Sequence, residues 1–430
     1  MSYADTLSDA TRRKARRDAV FSAIFGCVSE QAVDTGTLLI LYFGMLGGGD
    51  ALAMFSTAVP GIAFTLLSIP AAGLVSRLGL RRSYRSAILI QTVAFFLIAA
   101  APFAGAWAPQ MVLAAFAVFC IVRAFYGAAW FPLVDNFLRA DERGGFFGTM
   151  RFVYMLFNML LIYGVGRLMG AKPPLPIIQL YFAAAGAGLL ARYWFLERLP
   201  VGADREAAHY EVLPALKISL GNAPLVGFSF YYGFLNLAAL GAFPLALIYM
   251  KSFLGYGAAT VMVITAVGLL GQIVGFALTG CLIRRFGLRN FGILTHALFL
   301  AAIGLLPVTS PERPWSCQLL GALFFVNGTA LAFLGCFGST GMLALARPGN
   351  KVMAMAFVST FQYFGTALGR LGATGLMALG VLAERWRFGG RVFASFHTFF
   401  LIDFALTVLG LTFLLLLPAM NSDDPARKAS

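Results

Sequence analysis

Charge is what this chain has least of: Lys, Arg, Asp and Glu make up 12% of its 430 residues, about half the share of a soluble globular domain. With 60% hydrophobic residues and a mean hydropathy of +0.83, a soluble globule is excluded. Histidine is scarce, with only His209, His296 and His397, and the five cysteines (Cys27, Cys120, Cys281, Cys317, Cys336) show no metal-site spacing. Buried thiols and no metal are therefore expected. No phosphate-binding loop is present to drive primary transport. No Ser-His-Asp constellation occurs in any loop, and the loops are too short for a catalytic domain, so the expectation is a protein that is no enzyme and needs no cofactor.

What the chain has instead is apolar runs. About 20 apolar residues cross the roughly 30 Å hydrocarbon core as a helix, and the sequence divides into twelve such spans, near 19–45, 51–75, 84–105, 110–137, 146–170, 174–197, 223–250, 257–283, 291–308, 314–345, 352–381 and 391–418. The runs are continuous and rich in Leu, Ala and Phe, whereas a transmembrane β-barrel would alternate in segments of about ten residues. The expected fold class is an all-α polytopic membrane protein. Residues 1–18 are polar and basic and lack the apolar core of a cleavable signal, so the first span is expected to stay in the mature protein.

Lys and Arg distribute unevenly. With the N-terminus inside, the inner segments and helix ends hold 23 of the 32, Arg192 counted among them at the end of span 6, and the outer side holds seven. That bias places both termini in the cytoplasm. The net charge of +14 is then explained by topology and an anionic inner leaflet, with no nucleic-acid partner.

A repeat divides the chain. "GLVSRLGLRRSYR" at 73–85 and "TGCLIRRFGLRNFG" at 279–292 share a pattern in which Gly79 and Gly287 lie 208 residues apart, as do Arg143 in "ADERGGFFG" and Lys351 in "ARPGNK". Two six-helix halves follow, residues 1–198 with a basic tail and 223–430 with a second tail, joined by a polar cytoplasmic connection at 199–222.

With these loops the chain resembles the major facilitator superfamily of secondary transporters over nearly its whole length. The family's G-x-x-x-D-R-x-G-R-R signature is matched by Arg77, Gly79, Arg81 and Arg82, while Ser76 replaces its acid and Ala72 its first glycine. In the second half Gly280, Arg285, Gly287 and Arg289 fit, and Arg284 takes the acid's place. Glycine permits the tight turn, and the arginines can pair with carboxylates or helix C-termini. With Asp135 and Asp141 or Glu142 as partners, and Arg143 beside them, these residues form a candidate cytoplasmic gate; simple topological anchoring is the alternative.

Charges inside the spans are costly, at least about 2.5 to 3.5 kcal/mol each at the bilayer centre, so each needs a partner or a watery cavity. Glu30 and Asp34 share one face of span 1 by their i, i+4 spacing, about 16 and about 22 Å from its inner end at 1.5 Å per residue. Arg123 lies about 20 Å from the outer end of span 4, and "RAFYGAAW" at 123–130 resembles the family's R-x-x-x-G-x-x-A motif, whose Arg the resemblance links to proton handling. The three are candidates for proton coupling, with a static buried ion pair as the alternative. Arg370 on span 11 could pair with Asp403 on span 12 or grip an anionic substrate.

The resemblance implies that spans 1, 4, 7 and 10 line a central cavity, and each carries polar groups at mid-depth: Glu30 and Asp34, then Arg123 with Tyr126, then Tyr231, Tyr232 and Asn236, then Asn327. Trp130, Tyr154, Asn158, Gln272, Gln362 and Arg370 extend the candidate lining. Amides, tyrosines and Trp130 suit a sugar or polyol, while a carboxylate pair beside aromatics suits a lipophilic cation. The Gly-Pro motif that drug antiporters of the family carry in helix 5 has no counterpart here, where Gly164, Gly166 and Gly170 stand without a proline. Proton-linked uptake of a small polar solute is the leading expectation, in a bacterial inner membrane and as a monomer. Drug or metabolite efflux, and a non-transporting receptor, lipid flippase or assembly partner, remain the alternatives.

Overall fold

In hydrocarbon every backbone N–H and C=O must be satisfied within its own segment, and the chain responds with helices. A computed structural model describes residues 3–34, 36–134, 136–139, 142–169, 174–202, 212–347, 350–380, 385–388 and 391–416. Among these, eight helical runs are long and apolar enough to cross a membrane. Two of them, Leu80–Trp130 and Ala258–Val308, are 51 residues each, about 75 Å if straight, so each holds two spans. The first bends through a 3₁₀ stretch at Ala101–Trp107, and the second turns at Gly287, whose φ of 75° only glycine adopts at no steric cost. Gly79, with φ 83°, makes the matching turn in the first half.

The helices are α1 (Tyr3–Thr6), α2 (Asp9–Asp34), α3 (Thr37–Met45), α4 (Gly49–Leu78), α5 (Leu80–Ala100), α6 (Ala108–Val134), α7 (Arg143–Met169), α8 (Leu175–Glu197), α9 (Val212–Leu220), α10 (Ala223–Ala239), α11 (Ala242–Ile248), α12 (Ala258–Leu305), α13 (Ser316–Leu345), α14 (Lys351–Ala378) and α15 (Ser395–Leu416). Span 1 is thus α2 and α3, interrupted at Gly36 with φ 65°. Span 7 is α10 and α11, interrupted at Leu240 and Gly241. Spans 8 and 9 are the two arms of α12. Two strands, β1 (Arg385–Phe388) and β2 (Arg391–Ala394), pair antiparallel before span 12. This corrects the sequence expectation there: span 12 starts as a helix at Ser395, not at 391, and Phe393 and Trp386 stack 4.6 Å apart across the hairpin.

Polar ties fix which ends share a face. Glu142, after α6, accepts from Arg12 at 3.2 Å and Arg16 at 3.3 Å. Arg139 reaches Asp5 at 3.2 Å, and Asn136 accepts from the Gly202 amide at 3.2 Å. Arg12 also hydrogen-bonds Asp9, and with that bond and its charge holds the Asp9 carboxyl below its usual range. Asn350 donates to Ser219 and to the Ala215 carbonyl, both at 3.0 Å, which pins α9 to the turn between spans 10 and 11. These residues define the N-terminal face. On the opposite, distal face Tyr249 donates to the Thr309 carbonyl at 2.8 Å, with His397 3.3 Å away.

Asn222 joins two elements of the N-terminal face. Its Oδ1 caps α10 by accepting from the Leu225 amide at 3.5 Å, and its Nδ2 donates to the Leu345 carbonyl at 2.7 Å. Asn222→Ala is expected to lower stability by about 1–2 kcal/mol, with Asn222→Asp, which keeps the cap acceptor and loses the donation, falling between. Thermal unfolding in detergent checks the ranking.

Spans 1–6 and 7–12 meet through α4 with α14 and α7 with α12. Close contacts gather toward the distal face. The Thr37 and Thr265 hydroxyls are hydrogen-bonded at 3.2 Å, Gly44 leaves room for the Lys251 ammonium, and a Cβ on Gly61 would stand 2.9 Å from Ala367. Nearer the N-terminal face Arg151 lies over the Phe276 ring at 5.6 Å.

Candidate functional site

Glu30 on α2 is held by two arginines. Arg192 on α8 donates from Nη1 to its Oε1 at 2.6 Å, and Arg123 on α6 approaches Oε2 at 3.7 Å. Arg192 also donates to the Tyr126 hydroxyl at 2.6 Å and lies 4.0 Å from that ring's centroid. The local sequence makes room for this: Gly26, one turn before Glu30, leaves the space that the Arg192 guanidinium fills, since a Cβ there would lie 2.3 Å from Nη1. Arg192 is 5% exposed, so the sequence count that placed it at an inner helix end is corrected. Gly26 and Glu30, four apart on one helix face, were the signal available for it. Asp34 ends α2, and its side chain lies outside the described ones.

Beside this cluster lies a cavity of about 320 Å³ at mid-depth between the two sets of helices. From the first set Thr37, Pro60, Gly61 and Arg123 reach it; from the second, Gln272, Asn327, Gln362, Tyr363 and Arg370 do. It touches both broken spans, at Thr37 just after Gly36 and at Leu240 and Pro244 around the second break. Non-helical backbone at membrane depth is tolerated where it lines such a cavity. Asn327 lines the cavity, and its buried Oδ1 has no hydrogen-bond partner among the described residues. Phe64 stacks on Tyr363 across the two sets at 4.6 Å, and Arg123 stands 5.5 Å over the same Phe64 ring.

Arg370 does not pair with Asp403. Its Nη1 donates to the Thr57 carbonyl at 2.5 Å and its Nε to the Leu240 carbonyl at 3.4 Å. Proline chemistry explains one of these acceptors. Pro244 has no N–H to offer the Leu240 carbonyl four residues back, and Arg370 supplies the donor instead. In α4, Pro60 likewise withdraws the donor for Ser56, and the adjoining Thr57 carbonyl takes Nη1. Asp403 is 2% exposed and lies against Gly241 on α15's side of the break, its Oδ2 3.1 Å from where a Gly241 side chain would begin.

Of the other sequence-derived candidates, Tyr126 and Trp130 stack at 6.0 Å beside Glu30 without reaching the cavity. Tyr154 and Asn158 lie on α7, and neither lines it. Tyr232 donates to the Leu334 carbonyl at 3.1 Å and Asn236 to the Tyr232 carbonyl at 2.7 Å, both buried between helices. Tyr231 stacks on His296 at 5.9 Å and faces a lateral apolar groove. Thr265, Tyr363 and Thr366 line the cavity unforeseen, because hydroxyls inside apolar runs carry no pattern distinct from packing.

At the expected gate, Gly79 and Gly287 form their turns. Arg77, Arg82, Arg285 and Arg289 are exposed, and Arg81 is half-buried. Glu142 is taken by the N-terminal tail rather than by these arginines. Asp135 and Asp141, and the Arg143 side chain, lie outside the described residues.

No family model and no curated protein matches the sequence. Solved structures do. A mutant of nucleoside transporter NupG matches with TM-score 0.71 and 15% identity over 95% of this chain and 100% of that one. A D-xylose-proton symporter matches with TM-score 0.71 and 14% identity over 95% and 97%. A bacterial homologue of the iron transporter ferroportin, in its inward-facing state, matches with TM-score 0.69 and 12% identity over 94% and 98%. At such identities the likeness is one of fold, and it extends over the full length of the helical architecture. The chain therefore has the fold of the major facilitator superfamily, as its two loop motifs implied.

Proposed function

We propose that this protein is a secondary transporter that carries a small polar organic solute by alternating access, with proton movement coupled to it. The observation that carries the reading is the mid-depth cavity, which both sets of helices line with polar side chains and which touches the breaks of spans 1 and 7. Residues 1–198 and 223–430 act as the two rocking units, linked by 199–222. The split of Lys and Arg, 22 to seven with Arg192 set aside, supports cytoplasmic termini; the membrane is taken to be a bacterial inner membrane and the protein a monomer. The N-terminal face is then cytoplasmic, and the distal seam through Thr37–Thr265 and Thr57–Arg370 is the outer gate, closed in this conformation. In the opposite state the turns around Gly79 and Gly287, with Arg77, Arg81, Arg82, Arg285 and Arg289, close the cytoplasmic side.

Glu30, Asp34 and Arg123 form the coupling centre, extended by Arg192. A proton arriving at Glu30 removes the counter-charge of two arginines at once, so protonation is linked to how α2, α6 and α8 pack. Solute contacts fall to Gln272, Asn327, Gln362 and Arg370. A lipid flippase would need a lateral opening, but α10 and α14 close the wall between them by backbone contact: a Cβ on Gly365 would stand 1.9 Å from the Gly233 carbonyl oxygen.

Uptake into proteoliposomes tests the proposal, with radiolabelled uridine and D-xylose as first solutes because nucleoside and xylose carriers share the fold. An inward proton gradient should accelerate uptake and a protonophore should abolish the acceleration. Asn327→Ala is expected to weaken binding about five- to ten-fold, the loss of one buried hydrogen bond of about 1 kcal/mol or slightly more. Uptake unaffected by the gradient and by Asn327→Ala would count against this assignment.

A further inference from the structure

Asp403 belongs neither to the Glu30 cluster nor to the cavity lining. It stands on α15, about 12 Å from the distal end of that helix at 1.5 Å per residue, and is 2% exposed. Its buried Oδ2 has no hydrogen-bond partner among the described residues, and the Ala242 amide is the one group that hydrogen-bonds the carboxyl. The titratable groups on the surrounding elements are engaged elsewhere. His296 of α12 stacks on Tyr231 of α10 and faces Gly410, seven residues or about 10 Å further along α15. Tyr249 and His397 meet at the distal face, Arg391 begins β2 at its end away from α15, and Arg370 holds the Leu240 carbonyl from the cavity side. No charged side chain among the described residues acts on Asp403.

A carboxylate at this depth needs a cation or water, and Asp403 has neither group within the closed wall. Glu30 is the contrast, because two guanidiniums answer its charge. Asp403 also sits at a mechanical joint. Its Oδ2 lies against Gly241, the link between α10 and α11, with the Phe399 ring covering the same glycine. α11 is packed against α3 and α4 of the first set of helices and against α15 of its own. Just beyond it, the Lys251 ammonium fills the space that Gly44 leaves on α3. Opening the distal seam therefore requires α11 to move away from α3 and α4, and the joint that absorbs the movement is the one Asp403 touches.

Resting on the transporter reading above, we propose that Asp403 is a proton-binding site of the distal gate, separate from the Glu30 centre: a neutral acid while the seam is closed, and a carboxylate once the seam is open. When α11 moves, water entering from the distal side reaches the break at Gly241. The O–H bond of the acid breaks, that water takes the proton, and the charge left on Asp403 is hydrated. Closing reverses the step, since the wall re-forms around the neutral acid and not around the anion. The closed seam thus binds one proton more than the open one. Lower pH favours closure and rising pH favours opening, by up to about ten-fold in the closed-to-open ratio per pH unit for one proton.

Two measurements on the full-length protein test this, and neither needs a solute. In infrared spectra at neutral pH, wild type is expected to show the C=O stretch of a protonated carboxylic acid, which Asp403→Asn removes and Glu30→Gln leaves in place. Seam closure is read on a background with the five cysteines replaced, carrying Thr37→Cys and Thr265→Cys, as the initial rate of oxidative cross-linking. Asp403→Asn, neutral at every pH, is the reference that cancels the ionisation of the thiols themselves. Going from mildly acidic to mildly alkaline pH should slow cross-linking with Asp403 present about five-fold or more relative to that reference. Asp403→Ala serves as the neutral variant if Asp403→Asn does not fold. The proposal is overturned by the absence of an acid band in wild type, which no variant is needed to see, by a band that survives loss of Asp403, or by equal pH dependence of cross-linking with and without Asp403. Uptake of uridine or xylose is measured separately, so the transporter reading stands or falls on its own result.

Discussion

Replacing Glu30 with glutamine is expected to lower the unfolding free energy by up to about 3–5 kcal/mol, the cost of removing one partner from a buried ion pair, with the 28% exposure of the Glu30 side chain drawing the loss toward the lower end. The reason is specific to this cluster. Two guanidiniums converge on one carboxylate, at 2.6 Å and 3.7 Å, and at an effective dielectric of about 20 each charge at such a distance interacts by about 4 kcal/mol. Glutamine leaves the attraction unanswered and the repulsion between the arginines in place. Arg192→Gln should cost nearly as much, since Arg192 is buried and also serves the Tyr126 hydroxyl. Arg123→Gln should cost clearly less, because its contact is longer and it borders the cavity. The double variant Glu30→Gln with Arg192→Gln should lose less than the two single variants added, by about 1–3 kcal/mol. Thermal or denaturant unfolding in detergent gives all four numbers. Equal losses for the two arginines, or strict additivity of the double variant, would show that the cluster is not organised around Glu30.

The second large effect is steric. At Gly328 on α13 a Cβ would stand 1.9 Å from the Gly268 carbonyl oxygen on α12. Backbone cannot retreat as a side-chain tip can, and in a bilayer such small-residue contacts let helices approach closely enough for dispersion to hold them. Gly328→Ala is expected to cost about 1–3 kcal/mol by overpacking, and Gly328→Val more, with solute binding falling as well because Gly328 borders the cavity. Gly372→Ala is the matched control, since nothing lies within 4 Å of its added carbon; it should stay within about 0.5 kcal/mol of wild type. A similar loss at both glycines would contradict the packing account.

The contrast between what was legible and what was not follows the same physics. Span positions came from long apolar runs, which hydrocarbon solvation imposes on any sequence that crosses it. The turns at Gly79 and Gly287 were readable because only glycine takes their positive φ freely. Glu30 and Arg123 stood out because a charge in an apolar run needs a reason. Arg192 did not, because five residues from a helix end an arginine reads as an anchor, and only Gly26 on another helix shows that it turns inward. The Arg370–Asp403 pairing is the natural reading of consecutive helices, yet the Leu240 carbonyl that Pro244 leaves without a donor and the Thr57 carbonyl across the seam take the Arg370 guanidinium instead. Which of the tyrosines and amides face the cavity depends on helix rotation, and in spans that are apolar on every side no hydrophobic stripe reveals it. The hairpin at 385–394 escaped notice because its strands are four residues each.

The central claim is that solute binding in the cavity is coupled to a proton at the Glu30 cluster. Its most direct test is proton release or uptake on adding solute to purified protein in weak buffer, comparing wild type with Glu30→Gln and Asp34→Asn. Wild type is predicted to give a pH change that saturates with solute concentration and disappears in at least one of the two variants. Saturable solute binding with no pH change in any of the three proteins would make Glu30, Arg123 and Arg192 a static brace, and would contradict the coupled transport proposed here.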